Sequence, residues 1–470
     1  MNKGNNSQAL KAGVWYLICN FLLKGISFIT TPIFTRLLTA EDYGITATFS
    51  SYQSIFTIIA TLDLYSCIQI SKQDFGNDND KFVSSVLTLS SLTVFIVYAA
   101  VRGIKIFIPS FLDMSATMID IMFVGILFSN AFTLMQTQHR AYFRYKQVTF
   151  FTILSTVLSV VLGMVFVMQM SDNKYMGRIV GNLLPSMAVS LFAMISIYSK
   201  GRCLFKREYW KYALVISVPL IPHHLSGNIL SNFDRIMINS MCGSSQAGIY
   251  SLAYNVGAVV QLIWSSFNSA WCPWFYEQMG IDKIEPIRKA VKPYAIIFSA
   301  LVFMVIALAP EIIMILGPEE YWDAKWVIPP LALGIFLQFL YSLYVNIEFF
   351  YKKTSRIAVG TVIAALLNIA LNYIFIPIFG YIVAAYTTLV GYAVMFAFHY
   401  VQAKKIEKRD LYDVRFIICL ITVVFIICTI VAGLYNTTIV RYIITGLLAI
   451  IVCIANRKYI NMIIKRRFGR

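Results

Sequence analysis

Long uninterrupted apolar runs constrain this chain more than any other feature of its sequence. Residues 295–316 and 416–434 are two such runs. Each is close to the roughly 20 residues that a helix needs to cross a hydrocarbon core about 30 Å thick. Only 13% of the residues are charged, whereas soluble domains carry about 25%. The predicted fold class is therefore an all-α integral membrane protein.

Fourteen apolar segments can be distinguished, and we predict a transmembrane helix in each. Their approximate spans are 12–38, 44–70, 82–108, 115–138, 148–170, 176–199, 212–240, 247–275, 293–316, 327–350, 357–379, 381–402, 415–433 and 438–456. The connections are short and leave no room for a large domain outside the membrane. The first segment follows polar residues without a small-residue cleavage site, so we predict an uncleaved helix and not a signal peptide.

Lysines and arginines are distributed unevenly among the connections. With the N-terminus inside and alternating sides, 30 of the 39 lie on the inner side, seven on the outer side and two, Lys24 and Arg235, within segments. Cytoplasmic loops of membrane proteins are enriched in these residues. Both termini are therefore predicted to be cytoplasmic, and the net charge of +17 needs no nucleic acid as a partner.

The eight cysteines and four histidines lack the spacing of a metal or redox site. No two cysteines form a CxxC motif, and most cysteines lie within apolar runs, as small buried hydrophobic residues do. We therefore expect neither a metal nor a cofactor.

Short motifs recur at an offset of 203 or 204 residues. Asp42 to Ile45 resembles Gln246 to Ile249, and Gly177 to Val180 resembles Gly380 to Val383. Both offsets span six predicted helices, an even number, which predicts two parallel repeats around a substrate path. The predicted organisation is an N-terminal lobe at 1–199, a linker at 200–211, a C-terminal lobe at 212–402, and two appended helices with a basic tail at 403–470.

The first predicted helix carries a stripe of polar residues spaced three or four apart, a spacing that places them on one face. The stripe consists of Asn20, Lys24, Ser27, Thr31 and Thr35. Adding 204 to each position gives a second polar stripe on the seventh predicted helix, which consists of His224, Asn228, Ser231, Arg235 and Asn239. Each polar group in lipid needs a partner, so we predict that both stripes face one water-filled cavity.

A weaker pair of stripes lies on the second and eighth predicted helices. Its members are Thr46, Ser50, Thr57 and Thr61, and at the repeat positions Tyr250, Tyr254, Gln261 and Ser265. These residues fit contacts between helices equally well, because Ser and Thr often pack there in membranes. Tyr250 and Tyr254 are candidates to stack on sugar rings.

Lys24 lies about 20 Å along its predicted helix at 1.5 Å per residue, which is near the middle of the membrane. A cation there costs at least roughly 2.5–3.5 kcal/mol, and an anionic substrate would offset that cost. Arg235 is nearer the outer end, and its neighbour Asp234 could neutralise it. Both cations are candidate substrate-binding residues.

Three residues are candidates for binding a coupling ion, H⁺ or Na⁺: Asp63, His224 and Asp234. A histidine within the membrane can titrate near neutral pH. His224 follows Pro219 and Pro222, which predict a helix kink.

Another acid, Glu348, precedes Lys352 by four residues, the favourable helical order for an ion pair, so a structural pair is predicted there.

Two runs together resemble the polysaccharide exporters of the MOP superfamily, the Wzx-type flippases of lipid-linked oligosaccharides. They are Ile29 to Gly44 and Asn232 to Ile238, and the basic stretch Tyr142 to Lys146 also fits. The resemblance implies two six-helix lobes with two appended helices, a cationic central cavity and alternating access. It also implies that Lys24 and Arg235 hold a diphosphate or acidic sugars.

The substrate implied by this resemblance is an undecaprenyl-diphosphate-linked oligosaccharide, an O-antigen or capsule repeat unit. It would move from the cytoplasmic to the periplasmic leaflet of a bacterial inner membrane. The chain would then be a transporter and not an enzyme, and its partners would be membrane lipid and the polymerase and glycosyltransferases of the pathway. The predicted cavity has few cations for this family, so the sequence does not determine whether the glycan is acidic.

Two alternatives remain. A cation-coupled multidrug exporter of the same superfamily would favour acids in the cavity, whereas Lys24 and Arg235 favour anions. A membrane glycan polymerase or glycosyltransferase usually carries a large periplasmic loop, and the outer connections here are short.

Overall fold

The computed structural model describes the backbone of residues 3–142 and 144–455. Within them, the side chains of residues 3–14, 16, 17, 20, 145 and 448–455 are not described. The described residues form helices and connections, without a strand. The α-helices are α1 (Lys3–Leu37), α2 (Ala40–Thr61), α3 (Tyr65–Phe75), α4 (Asn79–Phe107), α5 (Ala116–Ala141), α6 (Tyr145–Gln169), α7 (Lys174–Gly201), α8 (Arg207–Ser217), α9 (Ile221–Cys242), α10 (Ser244–Gly280), α11 (Ile284–Ala307), α12 (Ala309–Leu316), α13 (Ile328–Phe350), α14 (Thr354–Phe379), α15 (Val383–Ile406), α16 (Val414–Gly433) and α17 (Thr438–Ala455).

The apolar runs are helical, so the predicted all-α membrane fold is confirmed. Among the described residues, 11 helical segments are long and apolar enough to cross a membrane. Each of the fourteen predicted segments overlaps at least one helix. Inside a bilayer a helix satisfies every backbone hydrogen bond within its own segment, and this is why the runs fold in this way.

Three predicted segments are broken. The prediction of one continuous helix was wrong for 44–70 and 293–316, whereas the break within 212–240 lies at the predicted kink. The segment at 44–70 divides into α2 and α3 because Leu62 and Asp63 adopt positive φ angles of 51° and 52°. The segment at 212–240 divides into α8 and α9 around Pro219, as its kink predicted. The segment at 293–316 ends one helix at Ala307 and starts α12 with Pro310 in the first turn, where proline is tolerated.

One compact unit comprises Met1–Gly248. It contains two hydrophobic clusters, one built around Leu64, Phe82 and Tyr209, the other around Phe49 and Phe123. In this unit α8 packs on α3 and α4, and α9 packs on α2. This unit ends after the predicted linker at 200–211 and includes the first residues of the predicted C-terminal lobe. The boundary between the two repeats therefore stays a prediction from the sequence.

The second unit comprises Ile249–Arg470. Its central element is α13, which packs against α11, α14, α15 and α16 and is buried over 94% of its most apolar stretch. Two tyrosines of this unit donate to backbone carbonyls across helices, Tyr412 to Leu343 (3.1 Å) and Tyr435 to Ile306 (2.8 Å). Buried hydroxyl groups need such partners.

Glu348 on α13 bonds to His399 on α15, and both side chains are fully buried. The distance from the carboxylate to His399 Nδ1 is 2.8 Å. The predicted pair of Glu348 with Lys352 is therefore wrong. Since α13 ends at Phe350 and Lys352 has a φ of 58°, the helical spacing that the pair required is absent.

The connection between α15 and α16 is held to the rest of its unit by charged side chains. Arg409 donates to Glu407 (2.7 Å) and to Asp282, and Tyr351 donates to Glu407 (2.6 Å). The hydrogen bond from Arg409 lowers the pKa of Glu407 to about 2. The stabilisation from this carboxylate is therefore present above its ordinary pKa and is lost as the pH falls toward 2.

The starts of α2 and α10 approach each other through two glycines. A Cβ atom on Gly44 would lie 1.7 Å from the carbonyl oxygen of Ser244, and one on Gly248 would lie 2.1 Å from that of Ala40. Gly248 and Ser244 are the repeat equivalents of Gly44 and Ala40 at the offset of 204. The two glycines thus allow the backbones of the two helix starts to come close together.

We predict that Gly44→Ala destabilises the protein, because the added methyl group would overlap a backbone oxygen. Overpacking typically costs about 1–3 kcal/mol, and here the two helix starts must separate. Thermal unfolding in detergent measures the loss. Gly103→Ala on α4 is the matched control, since no atom lies within 4 Å of its added Cβ. Equal stability of the two variants would contradict the close approach.

Candidate functional site

The break between α2 and α3 places Asp63 inside the protein. Its side chain is fully buried, and Oδ2 accepts hydrogen bonds from Ser66 Oγ at 2.5 Å and from His224 at 2.6 Å. The other carboxylate oxygen, Oδ1, is buried without a hydrogen-bond partner among the described residues. Burial of a carboxylate is costly unless it is paired, so the charge of Asp63 depends on His224.

The second break, before α9, places His224 opposite Asp63. The ring of His224 stacks on that of Tyr65, with centroids 6.4 Å apart and an interplanar angle of 7°. One-third of the His224 side chain is exposed, so the pair is buried on the carboxylate side and open on the imidazole side. The neighbouring His223 has a buried Nδ1 without a partner among the described residues.

The structure thus joins two residues that the sequence indicated separately. A carboxylate and an imidazole 2.6 Å apart can share one proton, so the charge of one group depends on whether the other is protonated. Asp234, the third candidate for ion coupling, is 1% exposed on α9. No group of three or more His, Cys, Asp and Glu side chains that could hold a metal ion occurs among the residues described.

The polar stripe of α1 changes character along the helix. Lys24 and Ser27 are exposed, whereas Thr31 and Thr35 are 4% and 0% exposed. The two threonine hydroxyls donate to carbonyls of their own helix, those of Ser27 (2.8 Å) and Thr31 (3.1 Å). The side chain of Asn20 lies outside the described residues. The exposed end of the stripe therefore contains the cation, and the buried end is satisfied locally.

The stripe of α9 forms a ladder of polar side chains. Asn232 donates to the side-chain oxygen of Asn228 (3.1 Å) and accepts from Arg235 (2.8 Å). All three are partly exposed. Ser231 instead donates to the carbonyl of Gly227 (2.9 Å). Asn232 was not predicted as a site residue because it stands one position off the stripe, although its spacing of four from Asn228 was a signal.

The two stripes lie on helices with different principal neighbours. Helix α1 packs mainly against α6, and α9 packs mainly against α2. That both stripes face one water-filled cavity stays a prediction.

The stripe of α2 is satisfied within its own helix. The hydroxyl groups of Thr46, Ser50, Thr57 and Thr61 all donate to backbone carbonyls three or four residues earlier. At the repeat positions, Tyr250 is fully buried, so its ring is not open to a sugar in this structure. Tyr254 and Gln261 line a small pocket together with Thr388 and Tyr392 in the second unit.

Comparison with known proteins gives a family and a fold. A family model described as polysaccharide biosynthesis protein matches residues 9–279. Lsg locus putative protein 1 of Haemophilus influenzae is 23% identical over 382 residues, which cover 77% of this chain and 90% of that protein. The probable low-salt glycan biosynthesis flippase Agl15 of Haloferax volcanii is 22% identical over 404 residues, covering 83% of this chain and 82% of that protein.

Solved structures with a similar fold are transporters. The lipid II flippase MurJ in an inward closed conformation matches with a TM-score of 0.69 at 16% identity. The match covers 94% of this chain and 99% of the MurJ chain. An inward-facing multidrug resistance MATE family transporter of the MOP superfamily has a TM-score of 0.64 at 14% identity, covering 82% and 95%. At such identities the likeness establishes the fold, and it agrees with the predicted resemblance.

We predict that His224→Ala destabilises the protein by about 3–5 kcal/mol, because it leaves the buried carboxylate of Asp63 without its main partner. The double variant Asp63→Asn with His224→Ala should recover much of this loss, since no charge then remains to be neutralised. Unfolding in detergent micelles measures both. Losses that simply add in the double variant would contradict the pairing.

Proposed function

The chain belongs to the family of polysaccharide biosynthesis proteins, and we propose that it is a flippase of lipid-linked oligosaccharides. The observation that carries the proposal is one cation on each of two polar stripes that the repeat offset of 204 relates, Lys24 on α1 and Arg235 on α9. A relative from Haloferax volcanii is named as a probable glycan biosynthesis flippase, and the family match extends over both stripes. The proposed substrate is an undecaprenyl-diphosphate-linked repeat unit of an O-antigen or capsule.

Lys24 is the proposed contact for the diphosphate. Its side chain is exposed on α1, and it forms no salt bridge with a residue that the structure describes. A lysine near the middle of the membrane, the depth that the sequence predicts for Lys24, is unfavourable by at least roughly 2.5–3.5 kcal/mol in lipid. It therefore needs an anion as a partner. The diphosphate supplies two or more negative charges and strong acceptor oxygens.

The ladder on α9 is the proposed contact for the sugars. Asn228 and Asn232 present amide donors and acceptors, and Arg235 presents a planar fork of donors. Such groups bind hydroxyl groups of sugars without requiring one particular glycan. Ser27 and Ser231 extend the two stripes with hydroxyl groups, and the partly exposed Tyr254 is the aromatic residue proposed to stack on a sugar face.

The pair of Asp63 and His224 is the proposed coupling site. The carboxylate is fully buried and the imidazole is one-third exposed, so a proton can enter from the open side and neutralise a buried charge. A change in protonation would change the charge of the contact that joins α9 to the break between α2 and α3, which offers a bistable element. Na⁺ is the second coupling ion considered, because the free Oδ1 of Asp63 is a hard oxygen ligand.

A multidrug exporter is the second candidate function, favoured by the fold shared with a MATE family transporter. Cationic drugs would bind to acids, whereas the exposed stripe positions of α1 and α9 supply Lys24 and Arg235. The proposal therefore favours an anionic substrate. Its membrane would be a bacterial inner membrane with both termini in the cytoplasm, where glycosyltransferases and a polymerase of the pathway act.

We predict that Lys24→Ala abolishes surface polysaccharide and causes the lipid-linked intermediate to accumulate, at unchanged protein levels in the membrane. Lys24→Arg should retain activity, because the cation remains. Lys353→Ala, an exposed lysine at the start of α14, is the matched control. The measurement is glycan staining of cells together with extraction of the lipid-linked oligosaccharide. Normal polysaccharide in Lys24→Ala would refute the assigned contact.

We predict that Asp63→Asn uncouples transport from its driving ion, because the amide keeps the size of the side chain but cannot exchange a proton. In vesicles with a fluorescent lipid-linked oligosaccharide, an imposed pH gradient should accelerate flipping by the native chain and not by this variant. A sodium gradient tested in parallel distinguishes the two ions. A native chain that ignores both gradients would remove the coupling role of Asp63 and His224.

A further inference from the structure

A groove at one end of α5, α6 and α7 is not used by the proposed transport path. It encloses a cavity of about 390 Å³. Six of its lining residues matter for its chemistry: His139, Lys146, Lys200, Phe150, Phe151 and Phe192. All belong to the first compact unit.

Cations and aromatic rings occupy different depths of the groove. Lys146 lies in the first turn of α6, with Phe150 four residues further into the helix. Lys200 lies in the last turn of α7, with Phe192 eight residues further from that end. At 1.5 Å per residue the rings lie about 6 and 12 Å deeper than the lysines, so the groove is charged at its mouth and aromatic toward the interior of the membrane.

The two lysines are available to a ligand. Both are exposed, and neither forms a salt bridge with a residue in the described ranges. Asp80 lines an adjoining pocket together with Lys200 and His139 and already accepts a hydrogen bond from Gln138 (2.7 Å). The mouth of the groove therefore has an excess of positive charge.

His139 provides an independent sign of a missing partner. Its side chain is only 7% exposed, and its Nδ1 atom is buried without a hydrogen-bond partner among the residues described. Buried polar atoms are nearly always hydrogen-bonded. Because His139 lines the groove, a ligand at the mouth is a natural source of the missing hydrogen bond.

The aromatic wall of the groove is exposed on the surface of the protein. Phe150 and Phe192 are 61% and 51% exposed, and Phe151 contacts both, at ring centroid distances of 5.6 and 5.1 Å. Helix α6 is buried over only 11% of its most apolar stretch. A soluble anion would leave these rings without a partner, whereas an acyl chain would cover them.

We propose that this groove binds an acidic membrane phospholipid, with its phosphate between Lys146 and Lys200 and an acyl chain against Phe150 and Phe192. The lipid would come from the leaflet at this end of the helices, the cytoplasmic leaflet in the predicted topology, where anionic lipids attract basic residues. The site is separate from Lys24 and Arg235. The inference rests on a membrane-spanning chain and not on the proposed transport of glycans.

The test is binding of phosphatidylglycerol to the purified full chain, measured by native mass spectrometry in detergent. The double variant Lys146→Ala with Lys200→Ala should bind about 30-fold more weakly, on the basis of roughly tenfold per 1.4 kcal/mol and about 1 kcal/mol per lysine. The double variant Lys352→Ala with Lys353→Ala is the matched control, because these lysines are also exposed but lie outside the groove. Equal affinity of the groove variant and the native chain would overturn the proposal.

Further binding measurements identify the molecule that binds in the groove. Phosphatidylcholine should bind weakly at this site, and Phe150→Ala should weaken phosphatidylglycerol binding, because the acyl chain loses its contact. Displacement of phosphatidylglycerol by millimolar inorganic phosphate would make this a soluble anion site and overturn the lipid assignment. Preferential displacement by undecaprenyl phosphate would assign the groove to the transported lipid and also overturn it. Transport that is lost only with Lys24→Ala would leave the groove and the proposed function independent.

Discussion

A charged side chain inside a membrane protein needs a partner in the protein or in a bound substrate, because hydrocarbon offers neither water nor ions. The described residues meet this constraint with three pairs, each joining helices far apart in sequence: Asp63 with His224, Glu348 with His399, and Glu311 with Arg441. Breaking a buried pair costs far more than the pair contributes, since it leaves one charge alone. The pairs therefore determine which helices can separate, and the pair with the exposed imidazole is the one that a proton can reach.

The helical fold could be predicted because its signal is local. An apolar run of about 20 residues has one stable structure in lipid, and the proline pair before α9 indicated the break there. The break before α3 gave no such signal, since Leu62 and Asp63 adopt positive φ without glycine or proline nearby. It is stabilised by contacts of Asp63 with Ser66 and His224, which only the folded unit brings together.

The candidate site was predictable in its members and not in its pairing. Asp63 and His224 were each recognised as unusual for a membrane helix, but 161 residues separate them, and one sequence contains no signal that joins them. The same limit explains one error, since Glu348 was assigned the local partner Lys352 although its partner is 51 residues away.

The polar stripes show why periodicity alone overestimates a binding surface. A hydroxyl group on a helix can donate to the carbonyl one turn earlier, as Thr31 and Thr35 do, and such a residue needs nothing from a cavity. Lysine has three N–H donors and arginine has five, so one hydrogen bond to a carbonyl of the same helix leaves most of these donors unused. The stripe of α1 therefore reduces to its exposed cation, Lys24, and the stripe of α9 to the amides that lead to Arg235. These two cations stand on stripes that the repeat offset relates, and the anionic substrate proposed above fits this constraint.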